Sequence, residues 1–111
     1  DYIIENVIIV GFLYKNYEDR RRKYIQPGDL HDAYLRFLAH ELVPYIDKNY
    51  STYQIGMSRA LIGDSQAATV SLLAAIAYPN IFGKVILQSP YVDDEVLKKV
   101  HEIKDPNALS I

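Results

Sequence analysis

Residues 58–75 read "SRALIGDSQAATVSLLAA", and the reading of this stretch decides the fold. A short apolar run, Ala60-Leu61-Ile62, reaches Gly63, then Asp64-Ser65-Gln66, and an alanine-rich segment follows. Alanine is the strongest helix former, so the order predicts a strand, a tight turn at Ser65 and a helix. Gly63-Asp64-Ser65-Gln66-Ala67 fits G-x-S-x-A, a variant of the G-x-S-x-G nucleophile elbow. The requirement is steric. The turn is so sharp that strand and helix come close on either side, and a side chain two positions before or after the serine would collide with the neighbouring element. Glycine at 63 meets that need, and alanine at 67 adds only a methyl. Such a turn lifts the Ser65 hydroxyl above the sheet and sets the backbone N–H of Gln66 to donate to a tetrahedral oxyanion. Small-x-Ser-x-small also occurs by chance, so the placement between strand and helix gives the motif its weight. The competing reading makes Ser65, or Asp64, a helix N-cap. The chain would then be a non-catalytic α/β domain for binding or assembly.

Outward from the turn, "VIIVGFL" at 7–13 is a β-branched apolar run without alternation, the pattern of a parallel strand buried on both faces. Residues 14–29 read as a polar loop closed by Pro27-Gly28-Asp29. From Leu30 to about Asn49, Tyr34, Leu35, Leu38, Leu42 and Ile46 recur at helical spacing, and Pro44 should kink or divide that helix. A loop follows. The helix from Gln66 to Tyr78 stops at Pro79, and "KVILQ" at 84–88 is another buried strand. Val96, Leu97, Val100 and Ile103 form one face of a helix over 93–104, with Asp93 or Asp94 at its start. After Asp105-Pro106-Asn107, "ALSI" at 108–111 looks like the beginning of a strand. Strands alternating with helices predict an α/β protein, a parallel-sheet three-layer sandwich.

The chain has 111 residues, 50% hydrophobic and 23% charged, with a net charge of −2. That composition is globular, and its near-neutral balance argues against nucleic-acid binding by bulk charge. No apolar run approaches the ~20 residues that span a bilayer, and the acidic start lacks the basic region of a signal peptide. Cysteine is absent, which excludes disulfides and cysteine catalysis and fits a cytoplasmic protein. The ten tyrosines read as packing on amphipathic surfaces. His31, His40 and His101 are scattered, so no metal site is suggested. Each reads as a surface histidine rather than a general base, and Asp93 and Asp94 read as helix caps. Lys15–Lys23 holds five basic and two acidic residues. Its functional reading is a cationic, substrate-binding wall of Arg20, Arg21 and Arg22 for an anionic substrate. The plainer reading is a solvated loop with an ion pair or two.

Several segments together resemble the Putative esterase family of α/β-hydrolases, which includes esterase D and the enterochelin and bacillibactin esterases. "ENVIIVGF" at 5–12 is similar to the family strand that leads to an Arg-rich stretch and a tyrosine, here Arg20-Arg21-Arg22 and Tyr24. "YLRFLAHELVPYIDKNY" at 34–50 resembles the family helix with the core E-L-I-P-Y-I. Residues 58–90 resemble the elbow, its helix, a P-x-x-F turn at Pro79–Phe82 and a strand ending in S-P. Ala67 departs from the family's usual glycine. "GDS" also opens the first block of the GDSL hydrolases, but there it follows the first strand, whereas here a strand and a long helix precede it.

The resemblance implies a serine hydrolase of carboxylic esters, a small-molecule ester as substrate and no cofactor. Ser65 would be the nucleophile and Gln66 N–H an oxyanion donor. It implies that 7–13 is the family's fourth strand and 108–111 the start of its seventh. The chain is then expected to be the central part of a partial α/β-hydrolase fold, with the triad acid and histidine outside it. In isolation it should be inactive and prone to strand-swapped dimers or other homo-oligomers.

Overall fold

A computed structural model describes residues 6–25, 28–103 and 109–111. Helix α1 (Tyr17–Tyr24) comes first, followed by α2 (His31–Phe37), which continues through a π turn (Leu38–Leu42) into α3 (Val43–Asn49). A 3₁₀ turn (Gly56–Ser58) leads into β1 (Ala60–Asp64), α4 (Gln66–Ala77), β2 (Lys84–Gln88) and α5 (Asp94–His101). β1 and β2 are parallel, in a register that runs from Ala60 opposite Lys84 to Asp64 opposite Gln88. Two parallel strands joined through a helix make the chain α/β. Ser110 adds a single parallel bridge to Lys84. Its carbonyl accepts from Val85 N–H, and its own N–H donates to Gly83 O, both at 2.8 Å. Of the strand expected at 108–111 the described residues show this one bridge beside β2; Ala108 lies outside the described residues, as do Pro27 and residues 105–107.

The core is organised by α4. Every residue from Ala68 to Ala75 is buried, as expected of a helix that is apolar all round. Its two hydroxyls are satisfied internally, Ser71 Oγ by the Ala67 carbonyl (2.7 Å) and Thr69 Oγ1 by the Tyr91 carbonyl (2.6 Å). Val70, Leu72 and Leu73 join Tyr24, Leu35, Leu38, Phe82, Val85, Val96 and Leu109 in one cluster. The opposite sheet face is bare: Ile62 and Ile86, partners in the register, are 65% and 54% exposed.

Two expectations are corrected. Residues 7–13 form no strand; 6–14 carry no regular secondary structure and are exposed. An apolar run becomes a strand only where another edge supplies its hydrogen bonds, and no described residue does so. Residues 14–29 are not all loop, since α1 occupies 17–24. Without an apolar stripe this helix is invisible to periodicity. It is held by the Asn16 side chain capping Asp19 N–H and by Glu18–Arg21 and Asp19–Lys23 pairs, spacings at which helical side chains meet. Pro44, expected to kink or divide the long helix, sits in the first turn of α3, directly after the change from α to π geometry at Leu38–Leu42. The π turn immediately before it, in which Val43 N–H donates to Leu38 O, adapts the backbone where a proline lacks its N–H.

The end of α3 is tied to the approach to β1 by an Arg59–Asp47 ion pair at 2.8 Å, mostly shielded from solvent. Thr52 Oγ1 donates to the other Asp47 oxygen. This link fixes the chain just before the strand that carries Ser65.

Candidate functional site

Ser65 stands between β1 and α4 with φ 57° and ψ −120°. A non-glycine residue at positive φ is strained, by about 1–3 kcal/mol in general, and must be held by its surroundings. The restraint is visible: Ser65 N–H donates to Gln88 O (2.9 Å), and Ser65 O accepts from Thr69 N–H (3.2 Å). Gly63 explains how the turn closes. A Cβ there would overlap the carbonyl group of Ala67 and lie 2.6 Å from Ala68 N. Gly63 φ is not positive, so glycine is required by space alone. Ala67 is half-buried against the core cluster.

Ser65 occupies the N-cap position of α4, yet its side chain makes no capping hydrogen bond. The residue is exposed and lines a cleft of about 300 Å³ together with Tyr24, Gln66, Thr69, Tyr91 and Asp93. The cleft lies at the carboxyl end of the parallel strands, the usual place for a site in an α/β sheet.

Gln66 carries a contact that the sequence did not announce. Its Oε1 accepts from Arg20 Nη1 at 2.5 Å. The three arginines therefore separate. Arg21 is paired with Glu18 (2.6 Å) and Arg22 with Asp29 (2.7 Å), both at the surface, while Arg20 turns to the elbow. The hydrogen-bonded carboxylate beside each of Arg21 and Arg22 raises the guanidinium's affinity for its proton, and the carboxyls of Glu18 and Asp29 are correspondingly lowered.

Asp93 caps α5, accepting from Val96 N–H at 2.9 Å, as its position suggested. His40 and His101 are exposed, and His40 packs edge-on against Tyr78. His31 departs from the surface reading. It is 2% exposed, and its Nδ1–H donates to the Lys23 carbonyl at 3.0 Å. Burial lowers its pKa, more than that hydrogen bond raises it. Its role is to join the start of α2 to the end of α1. No described hydrogen bond links any histidine to Ser65. Among the described residues no group of three or more His, Asp or Glu side chains could hold a metal, and no helix is long and apolar enough to cross a membrane.

Sequence reasoning missed Ser89, which has φ 47°. It ends β2 as Ser65 ends β1, so both strands of the sheet finish in a left-handed serine. Its place before Pro90 gave no hint, since a residue preceding proline favours extended backbone with negative φ.

A strained serine between a parallel strand and a buried helix, open to a cleft at the strands' carboxyl end, defines an α/β protein with a sharp strand–serine–helix turn. Comparison with known proteins is more specific: the family model described as "Putative esterase" matches residues 1–110, and the chain belongs to that family. It is 54% identical over 108 residues to the uncharacterized protein YjcH of Bacillus subtilis (strain 168), covering 97% of this chain and 45% of YjcH. The uncharacterized protein YbbA of the same organism is 33% identical over 58 residues, 52% of this chain and 23% of YbbA. A monoglyceride lipase homolog of Monkeypox virus is 36% identical over 61 residues, 55% of this chain and 22% of that protein. The chain thus spans less than half the length of these relatives. No solved structure matches it significantly.

Proposed function

We propose that the protein is a carboxylesterase-type serine hydrolase in which Ser65 attacks the ester carbonyl and the Gln66 N–H stabilises the resulting oxyanion. The observation that carries this reading is the backbone of Ser65, φ 57° and ψ −120°, with a hydroxyl that caps nothing and borders the cleft. Strain at an exposed serine is expected where function needs it. The helix-cap alternative has less support, because the capping bond it requires is absent.

In the proposed mechanism a histidine accepts the serine proton as the tetrahedral intermediate forms. The same histidine returns the proton to the leaving alcohol, and water then releases the acid. That histidine and its acid partner are proposed to lie in parts of the parent protein outside this chain. The chain would contribute the central strands of one α/β-hydrolase domain, completed there as a three-layer sandwich. We propose a small-molecule ester as substrate and a cytoplasmic setting, the latter supported by the lack of cysteine. An anionic substrate held by the arginines has weaker support, since Arg21 and Arg22 already face carboxylates.

The test is a fluorophosphonate probe on the full-length parent, with a p-nitrophenyl ester assay. Labelling should vanish in Ser65→Ala, and kcat should fall by about 10⁶, the usual loss for a triad serine. A wild type that hydrolyses the ester but takes no label would refute the reading.

A further inference from the structure

We propose that Arg20 is a positioning residue for the oxyanion donor, acting through the side chain of Gln66. This rests on Ser65 being the nucleophile. Gln66 is the first residue of α4, and the first N–H groups of a helix have no partner within it. Its N–H can therefore face a ligand, while the carbonyl on the other side of the same planar peptide, that of Ser65, is held by Thr69 N–H at 3.2 Å. Arg20 supplies a fixed point from another element. Its Nη1 donates to Gln66 Oε1 at 2.5 Å, across 46 residues of sequence, in a partly buried setting. A hydrogen bond from a charged donor is stronger and shorter than one between neutral groups.

Arg20 is itself held. Its guanidinium carbon lies 5.6 Å from the Tyr14 ring centroid and 5.4 Å from that of Tyr24, within cation–π range. Tyr24 also lines the cleft with Ser65 and Gln66. The other late cations of α1 are committed to carboxylates: Arg21 to Glu18, Arg22 to Asp29 and Lys23 to Asp19. Among the described residues Arg20 has no ion-pair partner, and its hydrogen bond goes to the residue beside the nucleophile. The Tyr14–Arg20–Tyr24 stack thus braces the first turn of α4 from α1. Without it residue 66 keeps its place in the helix and its peptide is held by the Thr69 bond alone.

The experiment uses the full-length protein with p-nitrophenyl butyrate, and kcat is expressed per active site titrated with a fluorophosphonate. Arg20→Met and Gln66→Met should each lower kcat about 10–100-fold, the usual range for a supporting contact, with KM changed less than about twofold. The double variant should be no worse than the poorer single, because both remove one interaction. Should Arg20→Met fold poorly, Gln66→Met carries the test, since it leaves the tyrosine–arginine stack intact. Unchanged kcat per site, additive losses, or an effect confined to KM would overturn the proposal. If Ser65→Ala is inactive while Arg20→Met and Gln66→Met keep full kcat, only the positioning role fails. If Ser65→Ala stays active, the nucleophile reading fails with it.

Discussion

Residues 7–13 and β1 (Ala60–Asp64) are both short apolar runs containing a glycine, yet they meet opposite fates. β1 has β2 alongside it and α4 across one face, and every residue of the strand has a partner in the register. The earlier run has neither: Ile9 is 87% and Leu13 98% exposed. Their glycines record the same contrast. A Cβ at Gly63 would strike the backbone of α4, whereas one at Gly11 would meet nothing within 4 Å. A β-branched apolar sequence confers the capacity to be a strand, and an available edge decides whether the capacity is used.

Substituting those glycines gives the largest effect. Gly63→Val should destabilise the folded protein by more than about 3 kcal/mol, because backbone cannot yield as a side chain can. Gly11→Ala in the 111-residue chain should change stability by no more than about 0.5 kcal/mol. Thermal or urea melts of both variants measure the difference.

Ala67→Leu comes next, on the helix side of the turn. Overfilling this half-buried position should cost about 1–3 kcal/mol. A melting temperature unchanged by it would mean that the space beside the elbow is looser than Gly63 implies.

Self-association probes the other member of the pair. The isolated chain should run on size exclusion as dimers or larger species, through the exposed run at 7–13 and the bare Ile62–Ile86 face. Ile9→Lys with Leu13→Lys should shift it toward monomer, with a melting temperature that no longer rises with protein concentration. A monomeric wild type at high concentration would contradict this.

The smallest effect concerns the α1–α2 junction. His31 is buried in its neutral form, so its folded pKa lies below the ordinary histidine value of about 6.5. The unfolded chain then binds the proton first as pH falls. This contribution to stability is complete above about pH 6.5 and is lost below it, down to the depressed folded value. Melts between pH 8 and pH 5 should show the decline. His31→Gln should flatten the slope, and an identical slope in that variant would assign it to other groups.

Much of this molecule was legible because its signals are local. The apolar runs at 60–62 and 84–88, the alanine-rich stretch after Ser65, Pro79 as a stop and Asp93 as a cap are each written within a few residues. So is the strand–serine–helix turn, since Gly63 and Ala67 lie two positions either side of Ser65. The left-handed backbone of Ser89 had no such signature.

What the sequence by itself determined, then, is the alternation of strand and helix and the turn at Ser65, because both follow from side-chain period and local sterics. Only the tertiary structure decided that α1 packs beside the first turn of α4, that Arg20 rather than Arg21 or Arg22 reaches Gln66, and that His31 is buried. It also decided that 7–13 goes unpaired. Each of these depends on which groups meet across tens of residues. A chain's local pattern encodes what a segment can form, and the contacts that select among those forms exist only once the chain is folded.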